Sequence, residues 1–240
     1  MPTSPSYKIF FISESAATID FGNVIDKGIN NKTVSLFNHL CRQPLQGMIE
    51  SIPAYSSLTI YFDPFILKKI NPPQKKIHEC IGDALKKLMK EEFVDNSPEK
   101  NLVRIPVCYE EAFGIDLSWL ADQKGISSQE VIRLHTSKEY HVYMLGFLPG
   151  FAYMGEVAGQ IAVPRKLQPQ QIVVGSVGIA GKQTGIYPLN SPGGWQIIGR
   201  TPLKMFDINK KDPCLLNSGD QVVFYSISKY EFENYQSGST

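Results

Sequence analysis

Residues 175 to 202 hold the densest set of chemically useful groups in the chain. They run Gly175-Ser176-Val177-Gly178-Ile179-Ala180-Gly181-Lys182-Gln183-Thr184-Gly185-Ile186-Tyr187, then Ser191-Pro192-Gly193-Gly194-Trp195, and on to Gly199-Arg200-Thr201-Pro202. Glycine costs backbone entropy and packs nothing, so a plain core strand does not carry so many. Close approach of a ligand or partner to the backbone would justify them. Arginine's forked donors suit a carboxylate or a phosphate. That makes Arg200, and Arg165 behind Pro164, the candidate anion holders, against the plainer reading of each as half of a surface ion pair. Gln183, Thr184, Tyr187, Trp195 and Thr201 supply further hydrogen-bonding and stacking groups.

A second concentration is Phe147-Leu148-Pro149-Gly150-Phe151-Ala152-Tyr153. Aromatics dominate cores, so a buried corner is one reading. The flanking glycines and Pro149 favour an irregular exposed loop instead, with Phe147, Pro149 and Phe151 forming a pocket wall. Several chemistries are excluded. Gly181-Lys182 is not a phosphate loop, because Ser176 stands where the motif needs glycine and Gln183 where it needs Ser or Thr. No nucleophile elbow occurs, since Ser176 lies in Gly-Ser-Val-Gly, and Ser191 before Pro192 reads as a turn residue. His39, His78, His135 and His141 form no compact ligand pair, so no metal site is expected. His135 and His141 flank a helix-to-strand turn, and His135 is a candidate hydrogen-bonding group near the pocket rather than a base.

These groups need a scaffold, and 240 residues can bury a sizeable core in one large domain or two smaller ones. Basic side chains number 24 against 23 acidic, so no global field draws the chain to nucleic acid or an anionic membrane. The apolar run Ile9-Phe10-Phe11-Ile12 is too short for an export signal or a bilayer span. Cys41, Cys80, Cys108 and Cys214 are widely separated, as reduced cytoplasmic thiols would be. Asn31-Lys32-Thr33 fits a glycosylation sequon, which has no use in that compartment.

The first ninety-odd residues alternate in texture. Tyr7–Ser13 and Ala17–Phe21 predict strands, then Ile29, Thr33, Leu36, Phe37 and Leu40 share a helical face. Met48–Ser51 and Leu58–Phe62 predict a second strand pair, and Ile77, Ile81, Leu85, Leu88 and Met89 a second helix. The order ββαββα predicts an α+β domain over 1–95, an antiparallel sheet with two helices on one face. The polar stretch Asp95–Asn101 marks the boundary to a second domain at 102–240. There, Val103, Ile105 and Val107 predict a strand, Ile115–Lys124 and Ser127–Leu134 helices, and Tyr140–Met144 a strand. Twelve of the nineteen glycines lie between Gly146 and Gly219, between short apolar stretches at 161–163, 172–174, 195–198 and 222–225. That pattern predicts a barrel or sandwich.

The chain resembles the Kip-type inhibitor and allophanate hydrolase subunit 1 family, in particular its 5-oxoprolinase-subunit branch. The resemblance is carried by Ile105–Tyr109, Val131–His135, Tyr143–Tyr153, Pro164-Arg165, Gly175–Pro188, Ser191–Pro202, Asp207 and Ser218–Asp220, with weaker support from Ile52–Leu58. One departure is the segment Met154–Gln160, shorter than the family's loop. The resemblance implies a small N-terminal α+β domain followed by a mainly-β, cyclophilin-like barrel. It implies partnership with an allophanate hydrolase subunit 2-like protein (the C-subunit of 5-oxoprolinase) and with the 5-oxoprolinase A-subunit. The implied reaction is ATP-dependent opening of 5-oxoproline to L-glutamate, with ATP and Mg²⁺ as co-substrate and this chain as one wall of a composite site, inactive alone. Two alternatives follow from relatives: a binding protein that inhibits a sensor histidine kinase, or half of a biotin-dependent carboxyltransferase.

Overall fold

A computed structural model describes residues 7–90 and 101–235. The chain divides into two compact units, Met1–Glu99 and Lys100–Thr240. Of the boundary expected at Asp95–Asn101, all but Asn101 lies outside the described residues.

In the first unit, strands β1 (Lys8–Ser13), β2 (Ala16–Asp20), β3 (Met48–Pro53) and β4 (Ser57–Phe62) form an antiparallel sheet in the order β1-β2-β4-β3. Period-two alternation sends Ala17, Ile19, Leu58, Ile60 and Phe62 to one buried face. Helices α1 (Lys27–Arg42) and α3 (Ile77–Leu88) cover that face with Leu36, Leu40, Ile81, Leu85 and Leu88. Asp26 caps α1 by accepting the Ile29 N–H. One element differs from the ββαββα expectation: a short helix α2 (Pro64–Ile70) follows β4 directly. Asp63 accepts the N–H groups of Phe65 and Ile66, and Pro64 occupies the first turn, so this Asp-Pro start was readable. Only Leu67 of α2 is buried, too little apolar periodicity to betray the helix.

The second unit is a closed seven-stranded barrel. Its strands are β5 (Leu102–Cys108), β6 (Glu139–Leu145), β7 (Ala152–Gly155), β9 (Ser176–Ala180), β10 (Gln183–Ile186), β12 (Gln196–Arg200) and β13 (Gln221–Ile227). Around the barrel they run β10-β7-β6-β13-β5-β12-β9, antiparallel except for β5 beside β13. Strands β8 (Gln170–Ile172) and β11 (Ser191–Gly193) pair with each other as a separate ribbon. Helices α4 (Leu117–Lys124), α5 (Ser128–Thr136) and α6 (Lys229–Glu233) complete the unit, and Ser127 caps α5 through the Glu130 N–H. The stretch 161–163, expected as a strand, is instead the end of a 3₁₀ turn (Gly159–Ile161) and a single bridge from Val163 to Gly181.

The first part of the glycine-rich run, residues 176–186, is a barrel hairpin. Ala180 pairs with Gln183, leaving Gly181-Lys182 as a two-residue turn with Gly181 at φ +60°. That is the glycine position a tight II′ hairpin requires. The glycines within the strands are crowded by their own chain: Gly185 by the Trp195 and Phe151 rings, Gly178 by Trp195 Cβ and Ile197, and Gly199 by Val107 and the Cys108 carbonyl.

Candidate functional site

Strand alternation sorts the singled-out residues onto two faces of one sheet. On β7, β9 and β10, Ala152, Met154, Val177, Ile179 and Ile186 point into the barrel core. The alternate positions Tyr153, Gly178, Ala180, Gln183 and Gly185 therefore point outward. Register aligns them in rows: Tyr153 opposite Gly185, Gly185 opposite Gly178, Gly178 opposite Ile197, and in the next row Gly155, Gln183 and Ala180. The middle of the first row has no side chains at all. Trp195 and Phe151 lie on that bare strip, so that a Cβ on Gly185 would stand 3.0 Å from the Trp195 ring and 3.1 Å from Phe151.

A second apolar cluster thus forms on the outside of the barrel, from Phe151, Ile172, Ala180, Tyr187, Trp195 and Ile197, with Leu148 and Tyr153 packed against it. Its rings meet edge to face, the geometry their quadrupoles favour. Phe151 stands at 5.4 Å and 88° to Trp195, and at 5.2 Å and 81° to Tyr187. Tyr153 meets Trp195 at 5.9 Å. Gly193 lies flat against the Tyr187 ring, which leaves no room for a Cβ. Phe151, Tyr187 and Trp195 are buried, whereas Phe147 is 62% exposed at φ +70°, with its ring edge-on to Phe151 at 5.7 Å. A non-glycine residue held in the left-handed region is strained, and here the strained residue is the one that presents an aromatic ring to solvent.

Arg165 sits on this cluster. Its guanidinium lies 5.9 Å from the Trp195 centroid, within cation–π range. Burial pushes the Tyr153 phenol up, and the Arg165 charge pulls it partly back. Burial does the same to Tyr187, countered first by a hydrogen bond from the Trp195 backbone and then by Arg165. No carboxylate pairs with Arg165 among the described residues. Pro149 and Pro164 are exposed nearby in sequence, and the Pro164 carbonyl accepts from Gln196 Nε2 at 3.2 Å.

Other expected site residues are placed elsewhere. Arg200 lies at the far end of β12 from Trp195, roughly 16 Å along the strand at ~3.3 Å per residue. There its Nε donates to the Val174 carbonyl at 2.8 Å and its guanidinium lies 5.7 Å from the Phe232 ring. The two arginines do not converge. Thr201 is buried in a turn, donating its N–H to Gly175 O and accepting from Leu203 N–H.

His135 and Thr184 face the barrel interior, so neither belongs to the outer aromatic face. They form a chain with one allowed direction. Thr184 Oγ1 donates to the Gly178 carbonyl at 3.1 Å, so it must accept from His135 Nε2–H at 3.0 Å. His135 Nδ1 is then an acceptor, filled by the Tyr109 hydroxyl at 2.8 Å. The Tyr140 hydroxyl closes the network on the His135 carbonyl at 2.9 Å. Phe224 stacks on the imidazole at 4.6 Å. Complete burial drives the His135 pKa down to about 3, so the ring is neutral and structural, not a proton carrier at neutral pH.

Sequence reasoning passed over Tyr153 as a site residue, although it alternates with the inward Ala152 and Met154 in a way that a period-two reading would have caught. It also passed over the role of Gly178 and Gly185 as a floor. Among the described residues no cluster of three or more His, Cys, Asp or Glu could hold a metal, and no helix is long and apolar enough to cross a membrane.

Residues 7–216 match the family described as carboxyltransferase domain, subdomain C and D. The 5-oxoprolinase B-subunit of Bacillus subtilis (strain 168) is 40% identical over 97% of this chain and 98% of its own length. The 5-oxoprolinase B-subunit of Escherichia coli O157:H7 is 37% identical over 90% of this chain and 94% of its own. Among solved structures, TTHA0988 superposes with a TM-score of 0.76 at 33% identity, over 89% of this chain, which spans 40% of that longer one.

Proposed function

The chain belongs to the carboxyltransferase subdomain C and D family, and from that premise we propose that it is the B-subunit of an ATP-dependent 5-oxoprolinase. In this reading the chain helps open 5-oxoproline to L-glutamate and supplies one wall of a composite site, without activity alone. The full-length similarity to 5-oxoprolinase B-subunits supports the assignment. The observation that carries it at the site is Arg165 on the aromatic cluster, with no carboxylate partner among the described residues. A small flat ring bearing one carboxylate suits such a surface: Arg165 takes the carboxylate, the rings of Tyr153, Trp195 and Phe147 flank the lactam, and Gln183 stands between Gly155 and Ala180 within the same face. The barrel is of the cyclophilin-like type that the resemblance implies.

The chemistry accounts for the need for partners. An unstrained lactam is resonance-stabilised, so direct hydrolysis is slow, and coupling to ATP requires that the amide oxygen be activated by phosphoryl transfer. That demands an anion-binding surface for phosphates and a divalent ion. The described residues do not fit such a site: Asp116 is engaged with Lys166, Glu156 with Lys182, and Gly181-Lys182 is a hairpin turn. Mg²⁺ and ATP are therefore assigned to the partners, the A-subunit and the allophanate hydrolase subunit 2-like C-subunit. Four free cysteines accord with a reducing cytoplasm. A second reading, half of a biotin-dependent carboxyltransferase, draws on 27% identity to Saccharomyces cerevisiae urea amidolyase over 55% of this chain and 9% of that one.

The test is glutamate release from 5-oxoproline and ATP by the purified chain, alone and mixed with both partner subunits. Turnover only in the mixture is expected. Robust turnover by the single chain would falsify the composite-site reading, and silence in a mixture that assembles would redirect the assignment to carboxyl transfer.

A further inference from the structure

We propose that the Asp116–Lys166 ion pair is a positioning device that fixes Arg165 as a carboxylate receptor on the outer aromatic cluster. The proposal rests on the reading of Arg165 above and adds residues to which no role has been given.

The pair is well shielded, with Lys166 Nζ 2.7 Å from Asp116 Oδ2 and the two side chains only 12% and 17% exposed. A second N–H of Lys166 reaches Gln170 Oε1 at 2.8 Å. The same Asp116 Oδ2 accepts the Ile197 backbone N–H at 2.7 Å, while the Asp116 N–H donates to the Ile197 carbonyl at 2.8 Å. Asp116 occupies the N-cap position of α4, yet its side chain makes no capping bond. Here that carboxylate is turned away from its own helix to hold Ile197 and Lys166.

The consequence falls on the residue between two anchors. The Lys166 N–H donates to the Gly194 carbonyl at 2.7 Å, and the Pro164 carbonyl accepts from Gln196. Residue 165 is thereby bracketed on both sides by bonds to the segment 194–197, which also carries Trp195. A shielded ion pair adds little net stability over an apolar substitute, and its best-attested use is to fix geometry. Two adjacent cations have opposite fates: Lys166 is neutralised internally by Asp116, and Arg165 is left over the Trp195 ring with its charge unspent. Removing Asp116 would release Lys166 to compete for the same anion and free the strap that aims Arg165.

Trp195 gives a direct readout, because the chain has 2 tryptophans and Trp119 can be replaced by Phe. Emission is titrated with 5-oxoproline and with 2-pyrrolidinone, the same lactam without the carboxylate. The expected result is a saturable change with 5-oxoproline, at least about tenfold weaker with 2-pyrrolidinone, and absent in Arg165→Gln. Asp116→Asn and Lys166→Met each leave one shielded charge unpaired and so lower the thermal midpoint. At a temperature where each variant stays folded, both should weaken binding about tenfold. The double variant should regain the midpoint without the affinity, and Lys166→Arg should keep most of the affinity. In the assembled complex the same two variants should raise KM for 5-oxoproline with kcat held. Wild-type-like affinity in the folded Asp116→Asn and Lys166→Met variants, affinity that returns together with the midpoint in the double variant, or no carboxylate response from the parent chain would each overturn the proposal. Failure of the 5-oxoprolinase assignment reads differently: an assembled complex without turnover beside a carboxylate response that still depends on Asp116 and Lys166.

Discussion

Replacing Thr184 by valine tests the directional hydrogen-bond chain inside the barrel. The side chains are nearly isosteric, so the change removes one hydroxyl without opening a cavity. That hydroxyl serves two buried groups: it accepts from His135 Nε2–H at 3.0 Å and donates to the Gly178 carbonyl at 3.1 Å. The histidine donor has no other place to go, since the ring is fully buried between Phe224, Tyr140 and Tyr109. An orphaned buried donor costs about 1–3 kcal/mol, and the lost acceptor contact adds to it, for roughly 3 kcal/mol in all. For a chain of this size that corresponds to about 6–12 °C in the unfolding midpoint. Urea or thermal melts of wild type, Thr184→Val and Thr184→Ser make the comparison, with serine keeping the hydroxyl and most of the stability. A valine variant within about 0.5 kcal/mol of wild type would refute the network, because the imidazole would then have to be satisfied in some other tautomer.

The same histidine makes stability fall as pH drops. Its folded pKa is about 3 and its unfolded value about 6.5, so below pH 6.5 the unfolded chain takes up a proton that the folded one refuses. The contribution is full above that pH and declines by up to ~1.4 kcal/mol per pH unit on the way down, a slope that urea melts should show in wild type and lose in His135→Gln. Gly193→Ala places a methyl group inside the Tyr187 ring and should cost about 1–3 kcal/mol, with a shift of Trp195 emission as the aromatic cluster rearranges. Arg200→Ala should leave KM for 5-oxoproline unchanged and cost about 1 kcal/mol for the bond to Val174, whereas Arg165→Ala should raise KM at least about tenfold; equal effects of both on KM would show that Arg200 reaches the ligand.

Legibility in the sequence followed physical locality. The helices over 27–42 and 77–88 and the paired strands of the first unit were readable, because each advertises its buried face through its own period. The barrel's many short strands were readable as a class from glycine and proline spacing. What could not be read was which face of each strand a glycine occupies. Gly178 and Gly185 suggested room for a ligand, and they do make room, but for Trp195 and Phe151 of the same chain. That distinction depends on the register between β9, β10 and β12, and register is a long-range property. The same limit explains why Arg165 and Arg200 looked equivalent: each follows or precedes a proline near the motif, and only the strand between them separates their surroundings.

The placement of the aromatic cluster bears on why such a protein would need company. A small barrel can enclose a ligand only if its interior is open, and this interior is filled by apolar side chains and the His135 network. The candidate binding surface has been displaced to the outside, where Trp195 and Phe151 lie over the two glycines of the sheet. An outside surface has a floor and walls but no lid. Activating a lactam with a phosphoryl donor requires that water be excluded until the acceptor oxygen is in place. On the 5-oxoprolinase reading, the lid must therefore come from another chain, and the exposed, strained Phe147 ring at the edge of Phe151 is where it would close. Phe147→Ala should then leave the isolated chain as stable as wild type, because that ring contributes little buried area to it. In the assembled complex the same change should slow 5-oxoproline turnover while ATP hydrolysis without product rises, as water enters an unsealed site. Tight coupling in that variant would mean that the lid closes elsewhere.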